Sequence, residues 1–141
     1  MIYNEKDEYL KQMTSKIPHS ASQVSDIVSI LGKKRTRVLT FIFEHIDKDK
    51  QGTITGKQIN DFDLLLVPHA TPAMLKEDEH LFFEFGGFKK QGYVNILGWL
   101  LTWKKAVKRS QRIDIVDHFF DQYFQVFPNS QQSLNSAGIQ L

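Results

Sequence analysis

The feature that most constrains the fold of this chain is an internal repeat with a period of 40 residues. Each copy holds an aromatic-rich segment, then a polar stretch around one aliphatic residue, and then another apolar residue. A unit of this size is one supersecondary element, which must bury its apolar face against a neighbouring copy. The aligned sets are Phe43, Phe83 and Tyr123; Gln51, Gln91 and Gln131; Ile54, Val94 and Leu134; Thr55, Asn95 and Asn135; and Ile59, Trp99 and Ile139.

The aromatic-rich segments have the periodicity of helices and not of strands. Apolar residues recur at helical spacing in 38–46, 77–88, 99–106 and 114–127, and these runs are long for buried strands. The sequence therefore predicts an all-α fold.

Three regions follow from the repeat. Residues 1–32 form an N-terminal segment, in which Ser22 caps a helix over 24–31 that stops at Gly32. Residues 33–110 contain the first two units, and 111–141 contain an incomplete third unit. Its last 14 residues are mostly Ser, Asn and Gln, which predicts a loop or frayed end.

The polar stretch of the first copy, residues 47–58, has the spacing of a calcium-binding loop. Such a loop places oxygen ligands at positions 1, 3, 5, 7, 9 and 12, with glycine at position 6 for a sharp turn. Gly52 occupies position 6, and Ile54 occupies the central position that pairs with a partner loop. The candidate metal ligands are Asp47, Asp49, Gln51, Thr53, Thr55 and Gln58.

This ligand set predicts weak calcium binding or none. Position 12 holds the neutral Gln58 in place of a bidentate glutamate, and the loop carries only two carboxylates among three lysines. We expect a dissociation constant on the order of 10⁻⁴ M or weaker. The alternative is that Asp47 and Asp49 serve only to hold the turn around Gly52.

The other two copies lack the ligands of a metal site. The second loop, residues 87–98, keeps Gly92 and Val94 but contains no carboxylate. The third copy, from about residue 127, has neither the acids nor the glycine. We expect the first two units to pair through a short two-stranded contact that places Ile54 against Val94.

These motifs resemble the EF-hand superfamily, and the wider layout is similar to the calexcitin and sarcoplasmic calcium-binding protein group. The resemblance covers about residues 34–138 and rests on the first loop, the helix with Trp99 and Trp103, and the aromatic run 119–127. It implies a cytoplasmic calcium buffer or sensor, with Ca²⁺ as the cofactor of the first loop. The missing ligands favour instead a module that binds a protein or an apolar ligand, with calcium buffering or sensing as the alternative.

The aromatic residues of the helices are candidates for a partner-binding groove, although ordinary core packing is the alternative. The third unit has no fourth to pair with, so its helix needs a cover. We expect the helix over 24–31 to cover it, with homodimerisation as the alternative. The candidate groove residues are Phe83, Trp99, Trp103, Phe120 and Phe124.

Composition excludes several other classes of protein. The chain has no cysteine, which excludes disulfides, zinc–thiolate sites and thiol catalysis. A net charge of +2 is too balanced to indicate nucleic-acid binding. The sequence contains no transmembrane-length apolar run, and acids near its start replace the apolar core of a signal peptide. No phosphate-binding loop, catalytic triad or pair of carboxylates in an apolar setting stands out, so we expect no enzymatic activity.

Overall fold

The computed structural model describes residues 10–11, 14–15, 17, 20–85 and 92–139. Seven helices and one two-stranded sheet lie in these residues, and they confirm the predicted all-α class. No helix of the described segments is both long enough and apolar enough to cross a membrane. The elements are α1 (Ser20–Leu31), α2 (Lys33–Ile46), β1 (Thr53–Thr55), α3 (Gly56–Leu66), α4 (Pro72–Phe85), β2 (Tyr93–Asn95), α5 (Ile96–Ser110), α6 (Asp114–Val126) and α7 (Asn129–Ser136).

The sheet joins two helical units in the way that the repeat predicts. β1 and β2 are antiparallel, and Ile54 lies directly opposite Val94. Both side chains are fully buried. Each strand leads directly into a helix, whose first turn is capped by the last strand residue. Thr55 Oγ1 accepts from the Gln58 amide at 3.2 Å, and Asn95 Oδ1 accepts from the Gly98 amide at 2.8 Å.

Trp99 connects the two units at the centre of the core. Its indole N–H donates to the Leu39 carbonyl of α2 at 3.1 Å. Its ring lies 5.9 Å from that of Phe43, and Trp99 is only 2% exposed. The second unit is therefore tied to the first by a buried hydrogen bond as well as by apolar contact.

The N-terminal helix lies elsewhere than predicted. α1 packs against α2 and α5, and α6 packs against α3, α5 and α7. Ile27 and Leu31 are the buried residues of α1, and Lys104 of α5 pairs with Asp26. The spacing of apolar residues predicts that this helix has a buried face, but it does not predict which helix that face packs against.

The C-terminal residues form a helix where a loop or frayed end was predicted, so that prediction was wrong. α7 spans Asn129–Ser136, and Leu134 and Ile139 are almost fully buried. Ser130 Oγ lies 3.1 Å from the Tyr123 hydroxyl, which in turn lies 2.7 Å from His45 Nδ1. Two buried apolar side chains and a chain of hydrogen bonds between side chains hold this segment against the core, although most of its residues are polar.

Helix α4 also begins earlier than the predicted residue 77. Pro72 stands in its first turn, and Thr71 Oγ1 accepts from the Met74 amide at 3.2 Å. Proline is favoured at the first position of a helix because its missing N–H has no partner there. Pro72 therefore starts the helix five residues before residue 77.

Substitution of Leu134 tests whether α7 belongs to the core. We expect Leu134→Ala to lower the free energy of unfolding by about 2 to 5 kcal/mol, because it leaves a cavity under α7. The exposed Gln132 on the same helix supplies the control, and Gln132→Ala should change stability little. Urea denaturation followed by circular dichroism measures both, and equal small effects would contradict the packed helix.

Candidate functional site

The first loop is organised by the carboxylate of Asp47, which follows the last residue of α2. Asp47 is fully buried. Its Oδ1 accepts from the Gln51 amide at 3.0 Å, and its Oδ2 accepts from the Gly52 amide at 2.7 Å. Gly52 has φ 82°, a conformation that glycine adopts without strain. Asp47 thus closes the turn by charge-assisted hydrogen bonds to its backbone.

The remaining candidate ligands are less buried than Asp47. Asp49 and Gln51 are exposed, and Thr53 is half-buried in β1. Among the residues described, no group of three or more acids or histidines could hold a metal ion. A calcium ion takes six to eight oxygens, so a single well-placed carboxylate fits it poorly.

The last two candidate ligands are occupied in capping α3. Gln58 Oε1 accepts from the Thr55 amide at 2.8 Å, while Thr55 Oγ1 accepts from the Gln58 amide. Gln58 Nε2 also lies 3.4 Å from the Ile46 carbonyl, to which it donates. This reciprocal capping box commits both side chains to the helix start. Of the second loop, residues 87–91 lie outside the described segments.

The candidate groove residues fall into three places, not one groove. Trp99 and Trp103 line a cavity between α3 and α4 on one side and α5 and α6 on the other. Phe120 and Phe124 line a separate, more polar depression near Arg35. Arg35 there forms a bidentate ion pair with Asp117, with N–O distances of 2.8 and 2.9 Å.

Phe83 lies away from both depressions, buried beside the start of α3. A Cβ added to Gly56 would stand 3.2 Å from the Phe83 ring, so the helix start and this ring are in close contact. Phe83 is 8% exposed. It is therefore a core residue, as the alternative interpretation of the aromatic residues expected.

The walls of the cavity with Trp99 and Trp103 are built from stacked rings. Phe82 stacks on Trp99 with centroids 5.0 Å apart, and Phe119 stacks on Trp103 with centroids 4.5 Å apart. The cavity has a volume of about 320 Å³. Its other lining residues are Ile46, Ile59, Phe62, Asp63, Leu66, Val67, Ala70, Met74, Asp78, Leu81, Thr102, Ala106, Ile115, His118 and Gln122.

Two carboxyl groups interrupt this apolar lining. Asp63 of α3 and Asp78 of α4 share the cavity, and burial raises the pKa of Asp63 to about 7, assisted by the charge and hydrogen bond of Asp78. The pKa of Asp78 is also raised, chiefly by burial. Asp63 Oδ2 and the indole nitrogen of Trp103 are buried atoms without a hydrogen-bond partner.

Sequence analysis missed this carboxyl pair, although the sequence contains a signal for it. Asp63 follows Ile59 by four residues and precedes Leu66 by three, so it lies on the apolar stripe of its helix. Asp78 stands in the same relation to Met74 and Leu81. An acid on an apolar stripe predicts a carboxyl group near the core, but only packing shows that the half-buried Asp63 meets the more exposed Asp78.

Because the pKa of Asp63 is raised, its carboxyl group should destabilise the fold more at high pH than at low pH. The pKa of Asp63 is 3.8 in the unfolded chain and about 7 in the fold, so the folded state binds an extra proton between these two pH values. Stability contributed by this group therefore increases as the pH falls from about 7 to about 4. We expect Asp63→Asn to be more stable than the wild type by about 1 to 3 kcal/mol at pH 8, with the advantage shrinking by pH 5.

The difference in free energy of unfolding between the variant and the wild type, taken at each pH, cancels the contributions of groups that titrate alike in both proteins. Urea denaturation at each pH provides the measurement. Asp61, an exposed neighbour that pairs with Lys57 at 2.8 Å, gives the control. Asp61→Asn should show a flat difference across that range, and an equally flat result for Asp63→Asn would refute the pKa assignment.

Comparisons with models of known families, with characterised proteins and with solved structures found no match to this chain.

Proposed function

We propose that this chain is an EF-hand-like binding module that takes a small apolar molecule in the cavity between α3, α4, α5 and α6. The support for the EF-hand relationship is the loop–strand–helix sequence, with Ile54 opposite Val94 and Gly52 at its turn. Binding would depend little on calcium, since three of the six candidate ligands, Asp47, Thr55 and Gln58, already accept hydrogen bonds from backbone amides.

The cavity is the observation that carries this proposal. Its volume of about 320 Å³ lies at the lower end of the range for small-molecule sites, which favours a compact ligand over a long one. Its walls are chiefly aromatic and aliphatic, with few polar groups, as in sites that bind apolar molecules. The stacked pairs that include Trp99 and Trp103 hold these walls in place, so a ligand would meet a largely formed surface.

A small hydrocarbon and a cavity-filling substitution test the proposal. We expect propylbenzene to bind saturably, and to change the fluorescence of Trp99 and Trp103, the only tryptophans of the chain. Ala106 lines the cavity, so Ala106→Leu should occupy its space and weaken binding at least about ten-fold. Isothermal titration calorimetry gives the affinity directly.

The matched control places the same substitution outside the cavity. Ala73 is exposed on α4, and Ala73→Leu should leave the affinity unchanged. Failure of propylbenzene to bind the wild type, or unchanged affinity in a folded Ala106→Leu variant, would overturn the proposed function.

Calcium binding by loop 47–58 is the second candidate function. It is favoured by the position of Asp47, which is the first residue of the loop and therefore stands where the pattern of a calcium loop places an oxygen ligand. Asp49 is the other carboxylate in the loop, and its exposure leaves it able to turn toward an ion. Gln58 would first have to leave the capping box, which opposes tight binding.

Asp47→Asn separates the structural role of this residue from metal binding. In a buffer that contains a calcium chelator, we expect Asp47→Asn to lower the free energy of unfolding by about 1 to 3 kcal/mol, because a charged acceptor of two backbone amides is lost. Asp49→Asn should have little effect in the same buffer. Thermal melts with calcium then test the site, since a native-state ligand raises the melting temperature. A micromolar midpoint would contradict weak binding and favour the buffer or sensor.

A further inference from the structure

The ionisable side chains that line the cavity are mostly acidic. Three of its lining residues carry ionisable side chains: Asp63, Asp78 and His118. No lysine or arginine is found among the described residues that line it. Glu77, next to Asp78, adds a further negative charge nearby. The cavity therefore holds two acidic side chains, with no lysine or arginine beside them on its walls in the part of the chain that the structure describes.

The fold derives no evident benefit from this arrangement. Burial opposes ionisation of both carboxyl groups, and the hydrogen bond between them offsets only part of this effect at Asp78, which makes the pair a cost to stability near neutral pH. Asp63 Oδ2 has no hydrogen-bond partner, and the Trp103 N–H is likewise unpaired. Buried polar groups of a folded protein are nearly always paired, and exceptions call for an explanation such as a ligand.

A cation in the cavity would remove this cost. It would favour the ionised form of both carboxyl groups and would donate a hydrogen bond to Asp63 Oδ2, which has no partner among the described residues. A divalent metal ion fits poorly, because two carboxylates fall short of its oxygen requirement and most of the other walls are carbon. An organic ammonium fits better, because its charge needs only a few acceptors and its carbon body suits the walls.

The aromatic walls strengthen the case for an organic cation. The indoles of Trp99 and Trp103 are in edge contact, with ring centroids 6.0 Å apart and an interplanar angle of 73°. Indole faces attract cations within about 6 Å of the ring centroid, more strongly than other aromatic side chains do. Both carboxylates and both indoles line the same cavity of about 320 Å³.

We propose that the ligand of this cavity is a small apolar amine, whose ammonium group pairs with Asp63 and Asp78 and whose hydrocarbon part lies against Trp99 and Trp103. This inference rests on the proposed function and names the chemical class of the ligand. The ammonium group donates hydrogen bonds to the carboxylates, and no covalent step is involved.

Three probes of nearly equal size test the inference: 2-phenylethylamine, propylbenzene and 3-phenylpropanoate. They share one ring and differ in whether the end of the chain is cationic, neutral or anionic. In calorimetry with the wild type at neutral pH, we expect the amine to bind at least about ten-fold more tightly than propylbenzene. The carboxylate should bind most weakly, because Asp63 and Asp78 repel it.

Variants of the two carboxyl groups test whether these groups cause the preference for the amine over propylbenzene. Asp63→Asn and Asp78→Asn should each reduce the advantage of the amine, and the double variant should bind the amine and propylbenzene with similar affinity. Affinity for propylbenzene should fall little in any of them, which shows that the cavity is intact. Asp61→Asn, an exposed change on the same helix, should keep the full preference for the amine.

The outcomes separate this inference from the proposed function. If propylbenzene binds and the amine binds no better, or if the double variant keeps the preference, the inference is overturned while the apolar cavity stands. If no probe binds, or if Ala106→Leu leaves binding of every probe unchanged, the proposed function itself fails. Tightest binding of 3-phenylpropanoate would also overturn the assignment of an amine.

Discussion

The antiparallel contact of Ile54 with Val94 is the interaction on which the arrangement of the helices depends. A pair of three-residue strands is too short to be stable alone in water. It persists because helices enclose it and both central side chains are fully buried. In return, the strands fix where α3 and α5 begin, since Thr55 and Asn95 are at once the last strand residues and the helix caps.

The first loop shows that a sequence pattern like that of a calcium loop can have a structural role. Asp47 and Gly52 occupy two defining positions of a calcium loop, and in this fold they form a turn held by backbone hydrogen bonds. That turn delivers Ile54 to the sheet. The pairing of the two strands therefore needs Asp47 and Gly52 whether or not the loop binds calcium.

The cavity between α3, α4, α5 and α6 stands in contrast to the rest of the core. Elsewhere, aromatic side chains fill the space between helices, as Phe43 does against Trp99. Near Asp63 and Asp78, space is left and two carboxyl groups face apolar walls. Local conflicts of this kind are expected at functional sites, where binding and not stability determines the residues. This is why the cavity, and not the loop, is the centre of the proposed function.

The sequence alone determined the helical class and the pairing of Ile54 with Val94, and it gave the turn around Gly52 as one of two roles for Asp47, because periodicity and loop chemistry act over a few neighbouring residues. Tertiary structure decided what depends on contacts distant in sequence. It placed Phe83, Trp103 and Phe124 in three environments, and it ordered the polar C-terminal segment through Leu134. It also brought Asp63 beside Asp78. A helical stripe records which side chains point inward, but only the packing of helices decides which of them meet and where space remains.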